Sequence, residues 1–76
     1  MTIKDFHGMT RNEAIQELHR LLGGYLEDVL KYGMPREVYR LITGTGVIQE
    51  SFKELLDNIS VNYVINSSNL GEIILL

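Results

Sequence analysis

Asp5 and His7, one residue apart in KDFHG, are the pair in this chain best suited to moving a proton. Imidazole titrates near neutrality and can accept or give a proton, and a neighbouring carboxylate can orient it or raise its pKa. On a strand, residues i and i+2 project from the same face, so the two side chains are expected together at a strand's end. The same residues also suit a plain, solvent-exposed strand end closed by a turn at Gly8.

A second stretch with chemical potential is Thr43-Gly44-Thr45-Gly46, which precedes a helix-like run. Glycines allow close backbone approach, and the free N–H groups and positive dipole end of a helix favour an anion. A threonine hydroxyl adds a donor. The stretch lacks the frame and lysine of a Walker loop, and it is not a GxGxxG fingerprint. Its other reading is a helix cap with Thr45 at the N-cap. Lys4, Arg11, Arg36 and Arg40 are the positive charges nearest the two stretches. Each can reach a phosphate, although exposed arginines are commonly just solvated. His19 reads as a surface or boundary residue of a helix. Glu54 and Asp57 share a helix face without metal-ligand spacing. No Ser-His-Asp order or nucleophile elbow is present.

The elements that must position these residues follow from hydrophobic periodicity. Residues 2–7 read as a short strand with Ile3 and Phe6 as its apolar members. Thr10 and Glu13 in TRNE form a capping box, and behind it Ala14, Ile15, Leu18, Leu21, Leu22, Tyr25, Leu26 and Val29 recur at helical spacing. Gly23-Gly24 inside this run marks close packing or a bend. The helix stops at YGMP, a glycine followed by Pro35. Residues 37–43 read as a second strand. Ile48, Phe52, Leu55, Leu56 and Ile59 mark a second helix, for which Asn58 is a stop. SVNYVIN and EIILL close the chain as strands, with SSNLG as turn chemistry between them. The order is βαβαββ. If the first two strands are neighbours, they are parallel and both helix starts lie at the carboxyl edge of the sheet. Ligands of open α/β sheets tend to bind at that edge.

Composition narrows the function classes. Seventy-six residues are expected to form a single domain, 1–76, near the lower size limit for a self-supporting core. The absence of cysteine excludes a disulfide scaffold and thiolate zinc sites, and fits a reducing, cytoplasmic setting. No apolar run approaches the roughly 20 residues of a membrane span, and no signal peptide pattern is seen. Seven Lys/Arg against ten Asp/Glu give a net charge of −3, which argues against strong autonomous binding to nucleic acid but not against a local basic patch.

Together the two glycine turns resemble those of one family. KDFHGMTRNEAI resembles the LDxHG-type opening of the Smr (small MutS-related) domain, in which a helix follows the HG turn at once. YRLITGTGVIQESFKELL resembles its second signature, an I-[TH]-G-x-G turn that opens the second helix. The resemblance spans nearly the whole chain. It implies a compact two-layer α/β sandwich, with two helices against a four-stranded mixed sheet. It also implies a nucleic-acid endonuclease: DNA nicking is attributed to some members, and RNA cleavage to others, including mRNA at stalled or collided ribosomes. Asp5 and His7 match the D-x-H pair implicated in cleavage, Gly8 the turn glycine, and Thr43, Gly44 and Gly46 the second motif. Two departures stand out. Lys4 replaces the usual leucine, and Val47, Ile48 and Gln49 occupy positions where basic residues often follow the second turn.

The expectation is therefore an Smr-like endonuclease with Asp5 and His7 as acid–base pair. The Thr43–Gly46 turn, including Thr45, would hold the phosphate with Gly8, Lys4, Arg11 and Arg40. RNA is favoured over DNA because its 2′-hydroxyl is a built-in nucleophile, whereas DNA hydrolysis more often needs a metal-activated water. No cofactor is required on this reading, and a divalent metal such as Mg²⁺ is compatible. The alternative is a non-catalytic Smr-like binding module acting on a ribosome or a protein partner, which the missing basic residues favour. No membrane partner is expected.

Overall fold

The computed structural model describes residues 1–76. Its elements are β1 (Thr2–Asp5), α1 (Arg11–Tyr32), β2 (Tyr39–Ile42), α2 (Val47–Asn58), β3 (Tyr63–Ile65) and β4 (Glu72–Leu75). The fold is α/β in the expected order, with two helices and a four-stranded mixed sheet. The spatial order is β1-β2-β4-β3. β1 and β2 are parallel, and β4 is antiparallel to both β2 and β3.

The sheet is covered on one face. Residues paired at the same level fall on one side, so Tyr39 with Leu75 and Leu41 with Ile73 form a buried face. The helices bring Ala14, Leu18, Leu22 and Tyr25 from α1 and Phe52 and Leu56 from α2 into the same core. Tyr25 meets Tyr39 edge-on at 5.7 Å, and Phe6 meets Phe52 edge-on at 4.8 Å. Such pairs favour the positive ring edge over the negative face. The opposite sheet face carries Ile3 and Val64, both exposed, around an ion pair between Arg40 and Glu72.

Local chemistry sets the helix boundaries. At the start of α1 the Thr10 hydroxyl accepts the Glu13 N–H at 3.2 Å, and the Glu13 carboxylate accepts the Thr10 N–H at 2.9 Å. Both halves of the capping box are formed. Gly33 ends the helix, donating its N–H to the Val29 carbonyl at 2.8 Å. The glycine pair does not interrupt α1: the helix is continuous, Gly23 faces open space, and a Cβ on Gly24 would lie 3.8 Å from Tyr39 Oη. Strands are shorter than the β-forming runs suggest. β1 ends at Asp5 rather than His7, because the backbone turns there, and β2 begins at Tyr39 rather than Glu37. No helix is long and apolar enough to cross a membrane.

Candidate functional site

Parallel pairing of β1 with β2 aligns Asp5 with Ile42. The ladder extends one step further, with Phe6 N–H donating to Ile42 O at 2.9 Å. The turns that follow the two strands are consequently side by side at the carboxyl edge. Between them lies a shallow cleft of about 240 Å³ lined by Asp5, His7, Ile42, Thr43 and Gly44. The sequence-expected acid–base pair and the front half of the glycine turn thus share one cavity.

The first turn is built by hydrogen bonds that a strand would not make. The His7 backbone N–H donates to Asp5 Oδ1 at 2.8 Å, and Met9 N–H donates to Phe6 O at 3.2 Å. Aspartate commonly folds the chain this way, its carboxylate accepting the N–H two residues on. Gly8, with φ +80°, occupies the turn position that calls for a left-handed residue. Asp5 and His7 therefore meet through carboxylate and backbone, not as side chains projecting from one strand face. Both are exposed to solvent. Phe6 between them is fully buried against Phe52, and it anchors the turn to the core.

The second turn is held from behind. Thr43 N–H and Gly44 N–H both donate to the Gly71 carbonyl, at 2.8 and 3.0 Å. The Thr43 hydroxyl lies 2.7 Å from Gly44 O and 3.2 Å from Gly71 O. Gly44 has φ +70°, a conformation that side chains rarely tolerate. The N-cap of α2 is Gly46, and no side chain caps it. The expected cap role of Thr45 is not taken up. Nor does any protein acceptor meet the N–H groups of Thr45, Gly46, Val47, Ile48 or Gln49. They form the electropositive end of α2.

The expected phosphate-binding cations are placed elsewhere. Lys4 faces the helix layer and pairs with Glu17 at 3.5 Å. Arg11 donates from Nε to Ser51 Oγ at 2.8 Å, and both line a separate groove of about 220 Å³ between α1 and α2. Arg40 is bound by the Glu72 carboxylate through Nε at 2.6 Å and a second guanidinium nitrogen at 3.0 Å. That two-pronged contact holds the Glu72 carboxyl below the ordinary glutamate range and raises the Arg40 guanidinium. Arg36 stacks over Tyr32, 5.1 Å from its ring centre, at the opposite end of β2. Gly8, Thr45 and Gly46 flank the cleft in sequence without lining it. Asp5 is its one carboxylate, and no three His, Asp or Glu side chains gather anywhere in the chain.

Sequence reasoning missed the residues behind the second turn. Gln49 is 7% exposed and donates from Nε2 to Leu70 O at 2.6 Å. Its signal was available: it stands one turn before Phe52 and two before Leu56, a polar residue on the buried stripe of α2. The chain matches no family model, no curated protein and no solved structure.

Proposed function

We propose that the chain is an Smr-like endonuclease that cleaves RNA at the cleft between the Asp5–Gly8 and Thr43–Gly46 turns. The observation that supports this reading is the cavity shared by Asp5, His7, Thr43 and Gly44, the residues of both motifs that the family resemblance pairs. His7, exposed at the rim, takes the proton from a 2′-hydroxyl. The resulting 2′-oxygen attacks the adjacent phosphorus, the bond to the 5′-oxygen breaks, water protonates the departing oxygen, and the hydroxide left behind takes the proton back from the His7 imidazolium. The products are a 2′,3′-cyclic phosphate and a 5′-hydroxyl. The free amides at the start of α2, which follow the cleft residues Thr43 and Gly44 in the chain, would offset the added negative charge on a phosphoryl group that reaches past the cleft edge. An Mg²⁺ at this site would have Asp5 as its protein carboxylate and fill its shell with phosphate oxygens and water, as this ion commonly does. A cytoplasmic setting goes with an RNA substrate.

Purified protein incubated with structured and single-stranded RNA, with and without Mg²⁺, tests the reading. The parent is expected to yield products, and the Asp5→Ala/His7→Ala double variant to be slower by a factor of about 10² or more, the usual contribution of one general base. Equal cleavage by the double variant would sink the proposal.

One observation favours the second reading, a non-catalytic module that docks on a ribosome or another protein. No lysine or arginine lines the cleft, and the chain carries a net charge of −3. Absence of products from either RNA, together with retained capture of a ribosome or a protein partner, is the outcome that selects it.

A further inference from the structure

The turn between β3 and β4 is a brace aimed at the glycine turn. It is closed by its own hydrogen bonds: Asn69 N–H donates to Asn66 O at 3.1 Å, and Glu72 N–H donates to Asn69 O at 3.0 Å. The carboxamide oxygens of Asn66 and Asn69 accept the N–H groups of Ser68 and Gly71 at 2.9 and 3.1 Å. From this brace the Gly71 carbonyl takes two consecutive amides, Thr43 and Gly44. The contact is also steric, since a Cβ on Gly71 would lie 3.0 Å from Gly44 Cα and 3.3 Å from its N and C. Gln49, buried in the first turn of α2, grips the same brace through the Leu70 carbonyl. The loop before α2 and the helix itself are thus both tied to one turn, on either side of Thr45 and Gly46.

We infer that Gly71 and Gln49 are positioning residues for the phosphate-holding turn, acting through Gly44 and the start of α2 without touching substrate. The inference rests on the proposed reading of that turn as an anion site. Its chemical content is a division of labour among amides. Gly71 consumes those of Thr43 and Gly44, which line the cleft, so the donors left for a phosphate are the amides of Thr45, Gly46 and Val47 beside it, which have no protein acceptor. Fixing the residues on both sides of these donors removes conformational freedom that binding would otherwise have to remove.

Isotope-labelled protein titrated with a short single-stranded 2′-O-methyl RNA, which cannot be cleaved through its 2′-oxygen, provides the test. In the parent, the amide resonances of Thr45, Gly46 and Val47 are expected to shift saturably. Gln49→Ala is expected to weaken binding about fivefold, the net effect of one hydrogen bond, and to move the same resonances in the free protein. The variant loses one part-buried hydrogen bond, and circular dichroism checks that it keeps its fold. Gly71→Ala is expected to weaken binding more, and if it fails to fold, Gln49→Ala decides alone. Leu70→Ala, which keeps the carbonyl, is the control and is expected to bind as the parent does. Parent-like affinity and parent-like shifts in Gln49→Ala would overturn the inference while leaving the site standing. Absence of shifts at Thr45–Val47 in the parent would overturn the site reading and the inference with it.

Discussion

His7 owes its position to the carboxylate of Asp5, and that contact separates two roles that the D-x-H spacing merges. Asp5 Oδ1 accepts the His7 backbone N–H, so the carboxylate shapes the turn that carries the imidazole. Asparagine has the same oxygen and folds the same kind of turn. If the chain cleaves RNA as proposed, Asp5→Asn is therefore expected to stay within a few-fold of the parent, whereas Asp5→Ala, which removes the acceptor, is expected to lose about 10²-fold. Single-turnover cleavage at saturating protein distinguishes the two, and equal losses would show that the charge matters more than the turn. The spacing made the proximity of these residues legible, but not its form. A period of two holds only while the strand continues, and here side-chain capping of the His7 amide ends it at Asp5. The cations were less legible still. Lys4, Arg11 and Arg40 lie close to the turns in sequence, but each is claimed by Glu17, Ser51 or Glu72 from another element.

At the scale of elements, α1 begins with a side-chain cap and α2 without one, so the same substitution at each start should destabilise in the first case and be near neutral in the second. Thr10→Ala removes a formed capping bond and is expected to cost about 1 kcal/mol, lowering the thermal midpoint by roughly 4–8 °C in a domain of this size. Thr45→Ala removes a hydroxyl that caps nothing and is expected to stay within about 0.5 kcal/mol of the parent. Thermal unfolding followed by circular dichroism measures both. A third change tests the glycine pair. Gly23 lies in unbroken helix with nothing within 4 Å of a Cβ, so Gly23→Ala is expected to stabilise the chain by about 0.5–1 kcal/mol. Destabilisation by this variant would reveal a contact outside the monomer's own fold. The capping box, the Gly33 stop and the element order were all readable in advance, since each depends on residues adjacent in sequence. The brace on the glycine turn was not. Gly71 reaches Gly44 across 27 positions, and only the pairing of β2 with β4 brings them together.

Across the molecule, charge is arranged to favour neutral pH. The one-sided sheet leaves Arg40 and Glu72 on the face away from the helices, with the Glu72 side chain only 4% exposed. The Arg40 hydrogen bonds hold the Glu72 carboxyl below its ordinary range. Glu13, Glu17 and Glu37 are lowered as well, chiefly by bonds to the Thr10 backbone, the Arg20 guanidinium and the Thr2 hydroxyl. Each shift has the same sign. A carboxyl whose pKa is lower folded than unfolded binds fewer protons in the folded state. Its stabilising effect is complete above the unfolded value and fades as pH falls through the folded one. Thermal stability is therefore expected to hold near neutrality and to decline from about pH 5 downward. Glu72→Gln separates the central pair from the three surface carboxyls. At neutral pH it leaves Arg40 without its counter-charge and is expected to be less stable than the parent. As pH falls, the parent loses the Glu72 contribution and the variant does not, so the two midpoints are expected to converge. Thermal midpoints of both proteins across the acid range measure this. A constant gap between the two curves would mean that Glu72 stabilises the sheet by its shape and hydrogen bonds, independent of its charge.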